Sequence, residues 1–210
     1  MRFKHLLVRS LLLISLLSSN SAWSATITVT TTSDDALSTT TTNGSCSLRE
    51  AIINANNNAR TYADCTAGAS GSDVISLTGG QTYTLTIPNP GAVVTNSGTD
   101  EDNSATGDLD IKNGLTISAS GDTPAIINGG GSTGTLFDRI FEITGAYDLT
   151  LTNCTVEGGY LVATSGDVYG GGIYLSASYS TLTLTDSTVS GNTAISSAAG
   201  AALNTDRVAG

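Results

Sequence analysis

The densest group of charged side chains in this chain is an acidic stretch between residues 100 and 110. Its carboxylates are Asp100, Glu101, Asp102, Asp108 and Asp110. Hard oxygen ligands at this density suit Ca²⁺, although the spacing is neither that of an EF-hand loop nor that of the Gly-rich nonapeptide calcium repeats. The alternative is a solvated loop in which Asp108 and Asp110 point outward on either side of Leu109. The sequence leaves both interpretations open.

Two basic residues follow the acidic stretch, and they suggest an enzymatic hypothesis. Lys112 and Arg139 are the only bases between residues 61 and 206. Abstraction of the proton next to a uronate carboxylate needs a base beside a bound metal ion, so a calcium-assisted polysaccharide lyase or hydrolase is one candidate function. In the competing interpretation, Lys112 neutralises the acidic stretch and Arg139 forms a surface ion pair between Asp138 and Glu142. A strongly anionic protein would also repel a polyuronate substrate.

Aromatic residues are concentrated in one part of the chain. Of the seven tyrosines, Tyr160, Tyr169, Tyr174 and Tyr179 lie within twenty residues around a Gly-Gly-Gly turn. Aromatic faces on one side of a repeat protein can stack on sugar rings, so glycan binding is a further hypothesis. Tyrosine is also a common strand residue that only packs, and this alternative remains.

The cysteines and the single histidine limit the possible catalytic chemistry. Cys46 and Cys65 are 19 residues apart, and in an exported chain they favour a disulfide worth roughly 3 kcal/mol over two free thiols. Cys154 is the odd cysteine, and we expect a small buried residue there rather than a nucleophile. His5 lies in a segment that we expect to be removed, so the mature chain lacks a histidine for a Ser-His-Asp triad or a His-ligated zinc site.

The N-terminus has the layout of a secretory signal peptide over residues 1–24. Three bases lie within the first nine residues, an apolar run covers residues 11–17, and Ala22 and Ser24 provide small residues before a cleavage site. We expect cleavage after Ser24, with Ala25 as the alternative. Residues 25–210 then carry five bases and 18 acids, a net charge of −13. This charge disfavours nucleic-acid binding, and no apolar segment is long enough to span a bilayer.

The composition and a repeat favour an all-β fold. The chain has 33 Thr and 24 Gly, which are poor helix formers, and its apolar residues alternate in short runs bounded by turn residues. Residues 148–158 align without gaps on residues 181–191 at an offset of 33, with seven of eleven positions identical. Self-similarity at this period is typical of solenoids. We expect a right-handed parallel β-helix, and a β-sandwich with two similar hairpins is the alternative.

The repeat also predicts which residues stack in the β-helix. Leu149 would lie over Leu182, and Leu151 over Leu184, inside the cylinder, while the intervening threonines face water. Asn153 over Asp186 would mark a turn between strands. The repeat therefore predicts a stacking partner for each residue of the two aligned segments.

One segment departs from the strand pattern. Ser47 and Glu50 form a capping-box pattern, and Leu48, Ala51 and Ile52 fall at helical spacing. The pattern predicts an amphipathic helix from about residue 48 to residue 57. Because the first coil of a solenoid has an open apolar end, we expect this helix to cap it.

The motif at residues 46–52, Cys-Ser-Leu-Arg-Glu-Ala-Ile, gives the one specific resemblance. It resembles the heptad of the CSLREA (CSLREAI) domain, and the similarity extends over roughly residues 27–195. Segments that carry it further are Gly71 to Leu77, Gly107 to Ile111, Asp138 to Phe141 and Gly170 to Tyr174. The resemblance implies a secreted or surface-exposed bacterial β-helix, often part of a longer adhesin-like protein, and it implies no established catalytic residues.

These observations predict three regions and one main function. Residues 1–24 are the signal peptide, residues 25–78 the N-terminal cap region with the Cys46 to Ile52 heptad, and residues 79–210 the coils, of which the last is incomplete. An incomplete coil suggests a fragment of a longer protein. The expected function is an exported, cell-surface or secreted structural module without a catalytic role, which binds surface glycans or host or matrix proteins. The lyase and the glycan-binding module are the alternatives.

Overall fold

The computed structural model describes residues 23–35, 42–89, 102–163, 167–196 and 203–204. Within these ranges the chain forms one α-helix, α1 (Leu48–Asn56), one short 3₁₀ helix (Gly131–Thr133) and sixteen short strands. In chain order the strands are β1 (Thr26–Thr28), β2 (Asp73–Thr78), β3 (Thr82–Thr84), β4 (Leu109–Ile111), β5 (Leu115–Ser120), β6 (Ala125–Asn128), β7 (Phe141–Ile143), β8 (Asp148–Thr152), β9 (Cys154–Glu157), β10 (Tyr160–Ala163), β11 (Val168–Tyr169), β12 (Ile173–Leu175), β13 (Thr181–Thr185), β14 (Thr188–Val189), β15 (Thr193–Ser196) and β16 (Leu203–Asn204).

All strand pairs in the described residues are parallel. The first sheet has the order β1-β2-β5-β8-β13, the second β3-β6-β9-β14 and the third β4-β7-β12, and two pairs, β10-β15 and β11-β16, complete the set. From β2 to β12 the chain visits the first, second and third sheets in that order three times. The prediction of an all-β chain is confirmed, and no described pair is the antiparallel hairpin on which the β-sandwich alternative depends.

The register predicted from the 33-residue repeat is confirmed. Leu149 of β8 pairs with Leu182 of β13, and Leu151 pairs with Leu184. Asn153 and Asp186, at equivalent positions after the two strands, both have a left-handed backbone, with φ of 55° and 50°. Asn and Asp tolerate this conformation better than other residues with a side chain, which explains why they occupy the turn.

Like residues lie on like residues in the core because parallel strands pair in register. The central column of the first sheet runs Ile27, Ile75, Ile117, Leu151 and Leu184. The first four members are fully buried, whereas Leu184, on the outermost described strand of that sheet, is only partly buried against the core. Burial of each such side chain stabilises the fold by about 1.5–3 kcal/mol.

Helix α1 matches the predicted helix to within one residue, because Asn57 serves as its C-cap. Both hydrogen bonds of the capping box are present: Ser47 Oγ accepts from the Glu50 backbone N–H, and Glu50 accepts from the Ser47 backbone N–H. The polar side chains of this amphipathic helix do not face solvent, because every residue from Leu48 to Ala55 is buried, Arg49 and Glu50 included. The helix packs against β1, β2 and β4.

The predicted disulfide between Cys46 and Cys65 is confirmed, with their Cα atoms 4.9 Å apart. The bond joins the residue before the N-cap of α1 to the segment that follows the helix. The N-terminal end of α1 is therefore covalently tied to the segment that follows the helix, and closing a loop of this length contributes roughly 3 kcal/mol.

The first sheet continues across the boundary predicted at residue 78. Strand β2, at the end of the predicted cap region, pairs on one side with β1 and on the other with β5. Most of the predicted signal peptide, together with Asp100 and Glu101, lies outside the described residues. Among the residues that are described, no helix is long and apolar enough to cross a membrane.

Candidate functional site

Arg49, the arginine of the heptad, is fully buried, and all five of its N–H groups are used. Nε and Nη2 donate to the two carboxylate oxygens of Asp34 at 2.7 and 3.0 Å. Nη1 donates to the carbonyls of Ser104 and Asp108 at 3.0 and 3.2 Å, and Nη2 also donates to the Gly107 carbonyl at 2.9 Å. The guanidinium therefore fixes the loop before β4 to helix α1.

Asp34 provides the negative charge for Arg49 and ties in two further segments. Its Oδ2 atom accepts hydrogen bonds from the backbone N–H groups of Thr86 and Ile87 at 2.7 and 3.0 Å. One carboxylate thus connects the segment after β1, helix α1 and the segment after β3. We call Asp34, Arg49 and the loop 104–108 the Arg49 hub.

Glu50 lies beside the Arg49 hub in the capping box. Burial raises its pKa above the usual 4.5, and the hydrogen bonds from the backbone and side chain of Ser47 lower it in part. Desolvation disfavours the charged carboxylate, while the helix N-terminus supplies donors that favour it. The charge of Glu50 is therefore held at a net cost inside the protein.

The two aspartates that flank Leu109 do not point into solvent as the solvated-loop interpretation assumed, so that interpretation is wrong for them. Asp108 and Asp110 are fully or almost fully buried, at 0% and 1% exposure. Asp110 accepts from the backbone N–H of Ser104 at 2.7 Å, and its own N–H donates to Ser104 Oγ at 2.7 Å. Asp102, by contrast, is exposed.

The expectation that Arg139 forms a surface ion pair is also wrong, because the pair is buried. Arg139 is 1% exposed, and its Nη1 atom contacts a carboxylate oxygen of Glu142 and lies 3.6 Å from a carboxylate oxygen of Asp108. Its guanidinium carbon lies 5.1 Å from the centre of the Tyr174 ring, which is within the range of a cation–π interaction. We call Asp108, Arg139, Glu142 and Tyr174 the Arg139 cluster.

Lys112, the second candidate base, contacts amide groups. Its Nζ atom donates to Asn103 Oδ1 at 3.2 Å, and its backbone N–H donates to Asn56 Oδ1 at 2.9 Å. It lines a cavity of about 290 Å³ together with Asn57 and Tyr62. In the part of the chain that the structure describes, no three His, Cys, Asp or Glu side chains form a group that could hold a metal ion.

The structure brings two of the four candidate tyrosines together. The rings of Tyr169 and Tyr174 are stacked, with centroids 5.6 Å apart and planes at 12°. Tyr160 instead makes an edge-to-face contact with Phe137 at 6.3 Å, and Tyr179 is 92% exposed. The stacked pair borders the Arg139 cluster, because Tyr174 is a member of both.

Cys154 is a buried free thiol, as expected. Burial raises its pKa to about 11, and the thiol contacts the carbonyl oxygens of Ile117 and Thr152. The thiolate is the nucleophilic form of cysteine, so this side chain is inert at neutral pH.

The role of Asp34 and the burial of the charges around β4 were not predicted from the sequence. Asp34 precedes a threonine-rich stretch without a motif, so its type and position carried no signal. The Asp-Leu-Asp-Ile pattern around β4 alternates as an exposed strand would, and only the covering loop, with Ser104, makes both faces buried.

No family model matches this chain, and no curated protein or solved structure matches it either. The resemblance of residues 46–52 to the CSLREA heptad therefore rests on the motif and on the segments that follow it. The contacts of Arg49, Glu50 and Cys46 give those residues physical roles in this chain independently of that resemblance.

We expect Arg49→Met to lower the free energy of unfolding by about 3–5 kcal/mol, because the change leaves the Asp34 carboxylate buried without a cation. Urea unfolding followed by circular dichroism measures it. Arg60→Met is the matched control: Arg60 is exposed and donates to the Ala63 carbonyl, so its loss should change stability by about 0.5 kcal/mol or less. Equal stabilities of the two variants would show that the Arg49 hub does not hold the fold.

We expect Glu50→Gln to be at least as stable as the original protein at pH 7, since glutamine keeps an acceptor for Ser47 N–H without the buried charge. The raised pKa means that the folded state binds the proton more tightly than the unfolded state. The original protein should therefore gain stability relative to Glu50→Gln as the pH falls from the raised pKa towards 4.5. Thermal unfolding of both proteins from pH 4 to 8 tests the sign, and an opposite trend contradicts it.

Proposed function

We propose that this chain is an exported, non-catalytic β-helix module that presents repeated surfaces to a partner, as adhesin-like proteins do. The observation that carries the proposal is the 33-residue register, in which Leu149 pairs with Leu182. At equivalent positions after the two strands, Asn153 and Asp186 have the same left-handed backbone conformation. A parallel register of this kind extends a surface by repetition. Such a surface suits binding along a matrix or cell wall more than it suits enclosing a small substrate.

The repeated order of the three larger sheets supports a right-handed β-helix. Parallel strands need crossover connections, and such connections are right-handed in nearly all known sheets. In this arrangement α1 acts as the N-terminal cap, since it packs against β1, β2 and β4 and covers the first strands. The fully buried helix then excludes water from the end of the core.

Export is supported by the signal-peptide pattern and by two structural contacts. A disulfide such as Cys46–Cys65 persists in oxidising compartments. The backbone N–H of Ala25 donates to the buried carboxylate of Asp73 at 2.7 Å. Cleavage after Ser24 would turn this N–H into an α-ammonium group, which would pair with Asp73 as an ion pair.

The non-catalytic role is supported by the positions of the candidate reactive groups. Arg139 is a buried guanidinium paired with Asp108 and Glu142, and a guanidinium is a permanent cation that cannot accept a proton. Cys154 is buried with its pKa raised to about 11. A calcium ion in the acidic stretch would depend on residues 100–102, since Asp108 faces Arg139 and Asp110 faces Ser104.

An assay for uronate cleavage tests this proposal against the lyase alternative. We expect no rise in the ultraviolet absorbance of an unsaturated product when the protein is incubated with pectate or alginate in the presence of Ca²⁺. A rise that disappears in Lys112→Ala would overturn the non-catalytic role. N-terminal sequencing of the protein recovered from the periplasm or medium of an expressing bacterium checks export, and Ala25 is the expected first residue.

The stacked Tyr169 and Tyr174 rings favour glycan binding as a second candidate function. Both tyrosines are half-buried, and the Arg139 guanidinium lies beside the Tyr174 ring. Rigid aromatic faces with polar edges can stack on the apolar face of a sugar ring. The partner would then be a surface glycan.

For this candidate we expect binding on a glycan array that is lost in Tyr169→Ala. Tyr179→Ala is the matched control, because Tyr179 is exposed but makes no ring contact among the described residues. Unchanged unfolding temperatures would show that both variants fold. The candidate is rejected when no glycan binds the original protein or when both variants lose binding equally.

A further inference from the structure

Asp73 places a carboxylate at a position where the neighbouring strands carry leucine. It is the first residue of β2 and pairs with Leu115 of β5, which pairs in turn with Leu149 of β8. All three residues are buried, and Asp73 is 0% exposed. Burial of a carboxylate is costly unless its charge is compensated. An acid at this position of the core therefore needs a partner.

The hydrogen bonds of Asp73 come from two backbone groups. Its Oδ1 atom accepts from the N–H of Ala25 at 2.7 Å, and Oδ2 accepts from the N–H of Ala69 at 3.0 Å. In the part of the chain that the structure describes, no lysine or arginine forms an ion pair with this carboxylate. By contrast, the buried side chains of Asp34 and Asp108 each lie beside an arginine. Asp73 therefore has donors but no cation among the described residues.

The register of the first sheet brings Ala25 to Asp73. Thr26 of β1 pairs with Val74 of β2, so Ala25 lies opposite Asp73 one position earlier. The Ala25 carbonyl accepts from the Val74 N–H at 2.8 Å, which holds this part of the backbone against β2. Ala25 is also the first residue after the small-residue pattern that predicts cleavage following Ser24. The predicted new N-terminus and the buried acid therefore meet at one nitrogen atom.

We propose that Asp73 is the binding site for the α-ammonium group of Ala25, so that cleavage of the Ser24–Ala25 bond stabilises the folded chain. In this step a peptidase hydrolyses the amide: the C–N bond breaks, water supplies the oxygen of the new Ser24 carboxylate, and the Ala25 nitrogen takes up protons. The ammonium group has three N–H donors in place of one, and it carries a positive charge that compensates the carboxylate. The inference rests on the proposed export, because export provides the cleavage.

The same geometry distinguishes the two predicted cleavage positions. Cleavage after Ala25 would remove the residue whose nitrogen lies beside Asp73 and would leave the carboxylate without that donor. Ser24 is exposed and Ala25 is half-buried, so the bond between them lies at the surface where the chain enters β1. We therefore assign the cleavage to the Ser24–Ala25 bond, and we expect the uncleaved chain to be the less stable form.

Thermal unfolding of the processed chain and of a chain lengthened by one residue tests the proposal. One alanine is inserted between Ser24 and Ala25, so that processing after Ser24 leaves the Ala25 nitrogen as an amide and moves the ammonium group by one residue. Both proteins are recovered from the periplasm, and N-terminal sequencing verifies their termini. We expect the insertion to lower the unfolding temperature by about 5 °C or more, because Asp73 stays buried without a cation.

Asp73→Asn and Asp64→Asn, each introduced into both chains, provide the matched control. Asp64 is half-buried and also accepts from two backbone N–H groups, those of Asn43 and Gly44, at 3.0 and 3.1 Å. We expect Asp73→Asn to remove the difference in unfolding temperature between the two chains, because asparagine has no charge with which the ammonium group can pair. Asp64→Asn should leave that difference unchanged.

Labelling of amino groups is a second measurement, and it needs no variant. Residues 25–210 contain the α-amine of Ala25 and one lysine, Lys112, which serves as the internal reference. Acylation requires the uncharged amine, and each unit by which its pKa rises lowers the uncharged fraction tenfold. We expect the α-amine to react at least about tenfold more slowly in the folded chain than in urea, relative to Lys112. Mass spectrometry of the N-terminal peptide measures the two rates.

Three results would overturn the proposal. Equal unfolding temperatures of the processed and lengthened chains would show that the charge adds nothing to the backbone hydrogen bond. A difference that persists in Asp73→Asn would assign the ammonium group to another partner. An α-amine that reacts as fast in the folded chain as in urea would lie in water.

A protease-cleaved fusion separates this proposal from the proposed export. A site-specific protease that releases both chains from an N-terminal fusion gives the same termini without any export. A chain that is not exported, but shows the expected differences after release from the fusion, contradicts the proposed export and supports the role of Asp73. A chain that is exported and processed but shows no such differences contradicts the role of Asp73 alone.

Discussion

The buried ion pair between Arg49 and Asp34 is the interaction on which the N-terminal part of this structure depends. A guanidinium without exposure to water must have every donor satisfied, and here the acceptors come from Asp34 and from the loop 104–108. Asp34 in turn accepts from the backbone at residues 86 and 87. Helix α1, which covers β1, β2 and β4, is thus held in place by segments that are far apart in the chain. The disulfide and the capping box stabilise the same helix locally, whereas the ion pair ties it to the sheets.

The third sheet differs from the first because buried ionic groups, among them a second buried cation, lie beside it. Arg139 lies between Asp108 and Glu142 and under the Tyr174 ring, so the charges near β4 and β7 are used within the protein. The first sheet has no such cluster, and its outward face presents threonine, serine and valine in register. The fold therefore separates its side chains: buried ionic groups lie beside the third sheet, whereas neutral side chains repeat along the outward face of the first sheet.

This separation is the physical basis of the proposed function. Catalysis at neutral pH needs a group with a pKa near the working pH and access to substrate. Arg139 is a buried permanent cation, and the pKa of Cys154 is raised to about 11 by burial. A repeated face needs neither property. It needs only that equivalent residues stay in register from strand to strand, and the paired leucines of β8 and β13 provide this.

The sequence by itself determined the features that depend on neighbours in the chain or on the repeat. The capping box at Ser47 and Glu50 set the start of α1, and the Leu-Thr-Leu-Thr repeat set the register of β8 on β13. The signal-peptide pattern, which predicts an oxidising compartment, favoured the disulfide between Cys46 and Cys65. Only the tertiary structure decided which charged side chains are buried and which groups they contact. Arg49 meets its partners 15 and 55 to 59 residues away, and Asp108, which precedes β4, meets Arg139, which precedes β7. A local sequence pattern describes the spacing of residues along one strand or helix. The burial of a charged side chain depends on which distant segment covers it, and a local pattern contains no information about that segment.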